Sequence, residues 1–256
     1  MPDGLRLALT TLTVAPVRAP EILDRRTAGR AMTCAPLVGL LLGLVATAVL
    51  IGFEHLSSAP LAAVLAIATL AFLTRGLHLD GLADTADGLG SYLPAERARA
   101  VMKQPDVGAL GLVTVLFVVA VQVAALLACV DGGRGGESLL LAVVTGRVAV
   151  TAACTRRTPA ATATGLGALV AGTVATWAAL ALIGLTVVAA LIVGLLTDAG
   201  GVAAGFRAVA AVTGALLVAE ALRRHAVRRL GGITGDVLGA LVEVTTAVVL
   251  VVMAVG

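Results

Sequence analysis

The chain predicts an all-α, polytopic membrane protein of about seven transmembrane helices, with room for one further short or re-entrant helix. Three observations carry that prediction. Of 256 residues, 59% are hydrophobic and only 13% charged, where a soluble domain carries about a quarter charged. Runs of about 20 residues recur with few or no charges, the length a helix needs to cross a hydrocarbon core of about 30 Å. Basic residues then fall almost wholly on one side of those runs. A single integral membrane domain over 1–256 follows.

The first span, 32–52, carries no charge. The second, 60–77, is apolar up to Arg75 near its end. The third, 109–130, is again free of charge, whereas the fourth, 139–155, is short and holds Arg147. The fifth, 177–196, is uncharged; the sixth, 204–222, includes Arg207; the last, 238–255, includes Glu243. Residues 160–176 are apolar but rich in Gly and Thr, so they read as a lead-in to the fifth span, a re-entrant segment or an eighth helix. Small residues build these spans and let helix backbones approach closely. With four Phe, one Trp and one Tyr there is no aromatic belt.

Orientation follows from Lys and Arg. One side receives Arg6, Arg18, Arg25, Arg26, Arg30, Arg75, Arg97, Arg99, Lys103, Arg156, Arg157, Arg223, Arg224, Arg228 and Arg229. The opposite loops, 53–59, 131–138 and 197–203, hold only Arg134 beside Glu54, Asp131, Glu137 and Asp198. The positive-inside rule therefore predicts a multi-pass protein of the plasma (inner) membrane with a cytoplasmic N-terminus and an external C-terminus. A net charge of +3 reads as this signal and not as a nucleic-acid surface. The N-terminal apolar stretch is short, broken by Thr and followed by Arg18, Arg25, Arg26 and Arg30, which predicts no cleaved leader. Cys34, Cys129 and Cys154 are isolated in apolar surroundings, which points away from a zinc or redox site.

Two segments on the basic side, 76–108 and 223–237, concentrate acids, bases and glycines. In "GLHLDGLADTADGLG" (76–90), Asp80, Asp84 and Asp87 fall at i, i+4 and i+7, one face of a helix. Carboxylates packed without cations repel one another, and a divalent cation removes that problem. Oxygen-only ligands suit Mg²⁺ or Mn²⁺, and Mg²⁺ usually takes one or two carboxylates plus substrate phosphates. His78, two residues before Asp80, admits a general-base or a structural role. Downstream, "LGGITGD" places Gly232, Gly235 and Asp236 before the last span; Asp236 reads as a further metal ligand, a helix N-cap, or both. Arg99 and Lys103 could clamp phosphates. Arg147 inside a span defaults to a functional or paired role. Together these residues suggest Mg²⁺-assisted phosphoryl transfer at the membrane face.

The run "GLHLDGLADTADG" resembles the signature of the cobalamin synthase (adenosylcobinamide-GDP ribazoletransferase) family. "RARAVMKQPDVGALG" is similar to a second family segment, departing from it at Gln104-Pro105, and "LGGITGDVLGALVEVT" to its C-terminal motif; "LTVAPV" near the start is a degraded match to a fourth. The resemblance implies an enzyme that joins α-ribazole, or its 5′-phosphate, to adenosylcobinamide-GDP with release of GMP. It implies Mg²⁺ held by Asp80, Asp84, Asp87 and Asp236, catalytic work by Asp84, Asp87 and His78, and substrate contacts from Arg99, Lys103, Arg147, Gly232 and Gly235. The implied partners are those two small molecules and the lipid bilayer, with a homo-oligomer left open.

Two other readings compete. A CDP-alcohol phosphotransferase also uses clustered membrane aspartates, but here Asp84 stands where that pattern has Ala, and Thr85 replaces its Arg. A cation-coupled transporter would carry its carboxylates near the bilayer midplane on broken helices, whereas these acids follow the end of a span.

Overall fold

The computed structural model describes residues 1–197 and 201–255; Asp198, placed above on the sparsely charged side, lies outside them. The described residues form eleven helices and no strand. In chain order these are α1 (Asp3–Leu12), α2 (Arg25–Leu56), α3 (Ala59–Leu73), α4 (Leu77–Gly90), α5 (Ala95–Val101), α6 (Ala109–Asp131), α7 (Gly135–Ala153), α8 (Gly165–Val170), α9 (Thr176–Leu196), α10 (Gly201–Leu230) and α11 (Gly235–Ala254). Among them α2, α6, α7, α9, α10 and α11 are each long and apolar enough to cross a bilayer, and the α3–α4 pair supplies a seventh segment. The polytopic all-α architecture is therefore the one expected from composition.

Local chemistry explains where the helices begin and stop. The Asp24 carboxylate accepts from the Thr27 N–H at 2.7 Å and caps α2. The second predicted span stops at Leu73, short of residue 77, because Arg75 (φ 56°) and Gly76 (φ 67°) are both left-handed. The Gly76 N–H donates to Ala71 O at 2.8 Å and closes the end of α3. Gly76 adopts that region freely, whereas Arg75 does so at a cost of roughly 1–2 kcal/mol. The chain restarts as α4 with its axis turned 86° from α3. Helix α10 runs past residue 222 to Leu230. Its polar end is supported by Glu220, paired with Arg223 and Arg224 at 2.6 Å each, three and four residues on.

Residues 155–175 form no eighth crossing. They make an irregular loop around the six-residue α8, tied by the parallel bridges Thr155–Val174 and Ala160–Ile233. Arg25 donates to the carbonyls of Ala168 and Ala171, pinning this loop to the start of α2.

Helices α7 and α11 are the most enclosed, and α2, α4, α6, α9 and α10 pack around them. Small residues set the spacing. A Cβ on Gly39 would come 3.1 Å from Val143 O, and one on Gly43 2.8 Å from Leu140 Cδ1, so α2 lies close on α7. The outer surface is apolar: Leu180 and Leu185 of α9 are 62% and 65% exposed. A surface of this kind is stable when lipid covers it.

The α9–α10 contact yields a test. A Cβ on Gly194 would lie 2.6 Å from Ala204 O, whereas nothing comes within 4 Å of one on Gly184. Gly194→Ala should destabilise the protein by roughly 1–3 kcal/mol through overpacking, and Gly184→Ala should leave it unchanged or slightly stabilised. Thermal unfolding in detergent reads both.

Candidate active site

Helix α4 forms as its spacing predicts, with Asp80, Asp84 and Asp87 along one side. The other side, including His78, Gly81 and Thr85, is buried. Two glycines make the contact with α11 possible. A Cβ on Gly81 would lie 2.7 Å from Asp236 O, and one on Gly239 would lie 3.1 Å from His78 Cα. With only hydrogens there, the backbone of α4 rests on the first turn of α11. Asp236 is thereby brought beside the α4 acids, although some 150 residues of sequence separate them.

The carboxylates then divide by what they touch. Asp87 accepts from the Gly108 N–H and the Gly111 N–H, both at 2.8 Å, and so caps α6 with both oxygens. Gly108 and Gly111 have no room for a Cβ because that carboxylate fills the space. Among the described residues Asp80 and Asp84 pair with no cation, and the ion pairs present involve Asp3 and Glu220 instead. Asp84 feels the negative charges of Asp80, Asp236 and Asp87. Asp236 occupies the first turn of α11 but is not its N-cap; that role falls to Thr234, whose hydroxyl accepts from the Val237 N–H at 3.2 Å. Lys103 is the cation whose field reaches Asp236.

Two openings flank this group. A polar cavity of about 250 Å³ is lined by Arg99, Lys103, Thr162, Thr164, Gly165–Gly167 and Thr234–Asp236. Arg99 is held in place there, its Nη1 donating to Leu230 O at 2.6 Å at the end of α10. On the other side an apolar groove of about 550 Å³ runs between α4 and α6, with Arg75 and Asp80 among residues such as Leu77, Leu79 and Leu112. Gly235 borders the polar cavity. Gly232 does not; a Cβ there would meet the backbone of Pro159–Ala161 within 2.6 Å, so this glycine lets the two loops pack. Arg147 and His78 face neither opening. They are 3% and 4% exposed and line a small interior cavity with Gln122, Glu243 and Thr246.

Among the described residues no group of three or more His, Cys, Asp or Glu side chains is placed to hold a metal ion. Asp80 and Asp84, which pair with no cation, and Asp236 beside the cavity could offer one or two oxygens to a divalent cation whose shell phosphates and water would complete. The sequence does not single out Thr162, Thr164, Gly165 and Gly167; their Gly/Thr-rich stretch reads as a lead-in to the fifth span, a re-entrant segment or an eighth helix, and none of these announces a cavity wall. Nor does it single out Gln122, whose signal is a lone amide in an uncharged span.

An all-helical bundle with carboxylates and cations gathered at its basic end defines a class, the integral membrane enzymes that work at the bilayer surface. The family model described as cobalamin-5-phosphate synthase matches residues 4–254, and the chain belongs to that family. Similar curated proteins are named adenosylcobinamide-GDP ribazoletransferase. One from Frankia casuarinae is 49% identical, covering 97% of this chain and 93% of the relative. Another from Corynebacterium efficiens is 41% identical over 99% and 91%. A third, from Nocardioides sp., is 41% identical over 98% and 97%. No solved structure matches the chain. The chain is thus a transferase of cobalamin assembly.

The division among the carboxylates can be measured. Asp87→Ala strips two N–H partners from the start of α6 and should cost roughly 1–3 kcal/mol of stability. Asp80→Ala, which removes one of several like charges and no hydrogen bond, should leave the unfolding temperature unchanged or raise it. A fall of equal size in both variants would contradict the division.

Proposed function

We propose that the enzyme joins α-ribazole, or its 5′-phosphate, to adenosylcobinamide-GDP in a Mg²⁺-dependent reaction that releases GMP. The names of the relatives support the substrates, and the family description supports a 5′-phosphorylated product. The observation that carries the chemistry is the row Asp80–Asp84–Asp236, unpaired by cations and placed between a cation-bearing polar cavity and an apolar groove.

In this reading Asp80 and Asp236, together with the substrate phosphates, would hold the metal, which when bound neutralises phosphate charge and orients the reacting oxygens. Asp87 serves the site by fixing α6 against α4. Arg99 and Lys103 hold the diphosphate of adenosylcobinamide-GDP, Arg99 already oriented by Leu230 O. In-line displacement requires the entering oxygen opposite the leaving one. GMP therefore departs into the polar cavity and the acceptor approaches from the groove, whose apolar walls suit a dimethylated aromatic base. A ribose hydroxyl forms the new P–O bond to the corrinoid-bearing phosphorus as the anhydride P–O bond to GMP breaks. Asp84, free of hydrogen-bond donors, takes the hydroxyl proton. His78 lies too deep to reach it and acts as packing beneath α4.

The basic excess on the side that bears the site supports a cytoplasmic active site in the inner membrane.

Purified enzyme with adenosylcobinamide-GDP and either acceptor should release GMP with Mg²⁺ and stop in EDTA. Asp84→Asn should lower turnover by at least about 100-fold while the protein still inserts, in the range seen when a key electrostatic group is lost. Lys103→Ala should raise KM for adenosylcobinamide-GDP about tenfold, the worth of one charge-assisted contact, and Glu54→Gln should change nothing. Well-folded protein that yields no GMP, or yields it equally in EDTA, would sink the proposal.

A further inference from the structure

Beneath α4 lies a second polar group that the reaction above does not use. Gln122 of α6, Arg147 of α7, Glu243 and Thr246 of α11 and His78 of α4 surround a cavity of about 20 Å³. The first two are 2% and 3% exposed and the last two, Thr246 and His78, 3% and 4%. Gln122 Nε2 donates to Glu243 Oε2 at 2.8 Å and to Glu243 O at 3.1 Å. Arg147 has one long bond, Nη1 to Val143 O at 3.5 Å. Its Nε and the Thr246 hydroxyl are buried with no partner. Arg147 and Glu243 attract across the cavity without forming an ion pair within contact distance.

Unpartnered buried polar atoms cost roughly 1–3 kcal/mol each, and in a bilayer no lipid can satisfy them. A polar cavity above about 10–15 Å³ with two to four polar partners holds one water. Here the Arg147 Nε–H can donate, the Glu243 carboxylate can accept, and the Thr246 hydroxyl can do either. The chamber also carries the first turn of α4. That helix is held at its far end by Asp87 on α6 and at its middle by Gly81 on α11, while its near end rests on His78 over this cavity.

We propose that the chamber holds one ordered water bridging Arg147, Thr246 and Glu243, and that Arg147, Gln122 and Glu243 are positioning residues that set the height of α4 and hence the spacing of Asp80 and Asp84 from Asp236. The positioning half rests on the Mg²⁺ reading; the water does not.

Two measurements on the full-length protein decide it. A structure in nanodiscs at a resolution that shows water should reveal density within hydrogen-bond reach of Arg147 Nε and Thr246 Oγ1. A dry cavity, or an Arg147–Glu243 ion pair that fills it, overturns the water. In the GMP assay, Arg147→Met should raise half-saturating Mg²⁺ about tenfold, because α4 and its carboxylates lose their support, with the rate at saturating Mg²⁺ changed less. Arg147→Lys should recover most of that shift. Thr246→Val, which keeps the shape and removes the hydroxyl, should shift it in the same direction and guards against a misfolded Arg147→Met. A lowered unfolding temperature with unchanged Mg²⁺ dependence would show a purely structural role. Wild-type turnover that ignores metal would instead remove the Mg²⁺ reading and, with it, the positioning role, leaving the density to decide the water alone.

Discussion

How near α4 can come to α11 controls everything at the basic end of the bundle. The approach is a backbone-on-backbone contact, Gly81 against Asp236 and Gly239 against His78. One methyl group at either glycine would push the helices apart, and protein interiors do not absorb such a push without shifting neighbours. Since Asp80 and Asp84 leave α4 beside this contact and Asp236 leaves α11 within it, the two glycines set the closest approach open to the carboxylates. The acids repel; the glycines hold them together anyway.

The remaining polar atoms are placed so that the bundle can tolerate them. Charge outside the bilayer is plentiful, but within it the polar side chains turn inward: Gln122 bonds Glu243, Thr151 donates to Met32 O at 2.7 Å, and Arg147 is enclosed. Lipid competes poorly for such groups, so inward placement is the arrangement of least cost. The outer faces, by contrast, are almost wholly aliphatic. Helix ends meet the same demand with side chains from elsewhere in the chain, Arg99 on the end of α10 and Arg25 on the end of α8.

Much of this could be read from residues alone. Hydropathy located every crossing, because a run of Ala, Val and Leu has few other fates, and the i, i+4, i+7 spacing placed three aspartates on one side of a helix that does form. What the sequence could not show was which partner each group would meet. Asp87 looks like its neighbours until Gly108 and Gly111 arrive from 21 and 24 residues away. Gly232, a substrate contact by resemblance, instead makes room for Pro159–Ala161. Asp236 was weighed as an N-cap, but Thr234, two residues earlier, holds that place. The turn at Arg75-Gly76 was hidden because Arg rarely adopts the left-handed region, so nothing in its identity announces a break. For residues 160–176 composition left three alternatives, since Gly and Thr are common both in membrane helices and in tight loops, and the structure takes the first, a lead-in to α9.

The shortness of α3 has a consequence for the membrane itself. Fifteen residues at about 1.5 Å each reach about 22 Å, against a hydrocarbon thickness of about 30 Å. Helix α2, at 32 residues, has length to spare, so the mismatch is local to one flank of the bundle. Lipids beside α3 have to tilt or compress to meet it, drawing headgroups and water down toward the α3–α4 turn. The aqueous boundary is therefore dimpled where the acids lie. Water can then reach Asp80 just past the turn, although α3 alone is too short to carry that turn across the full hydrocarbon thickness.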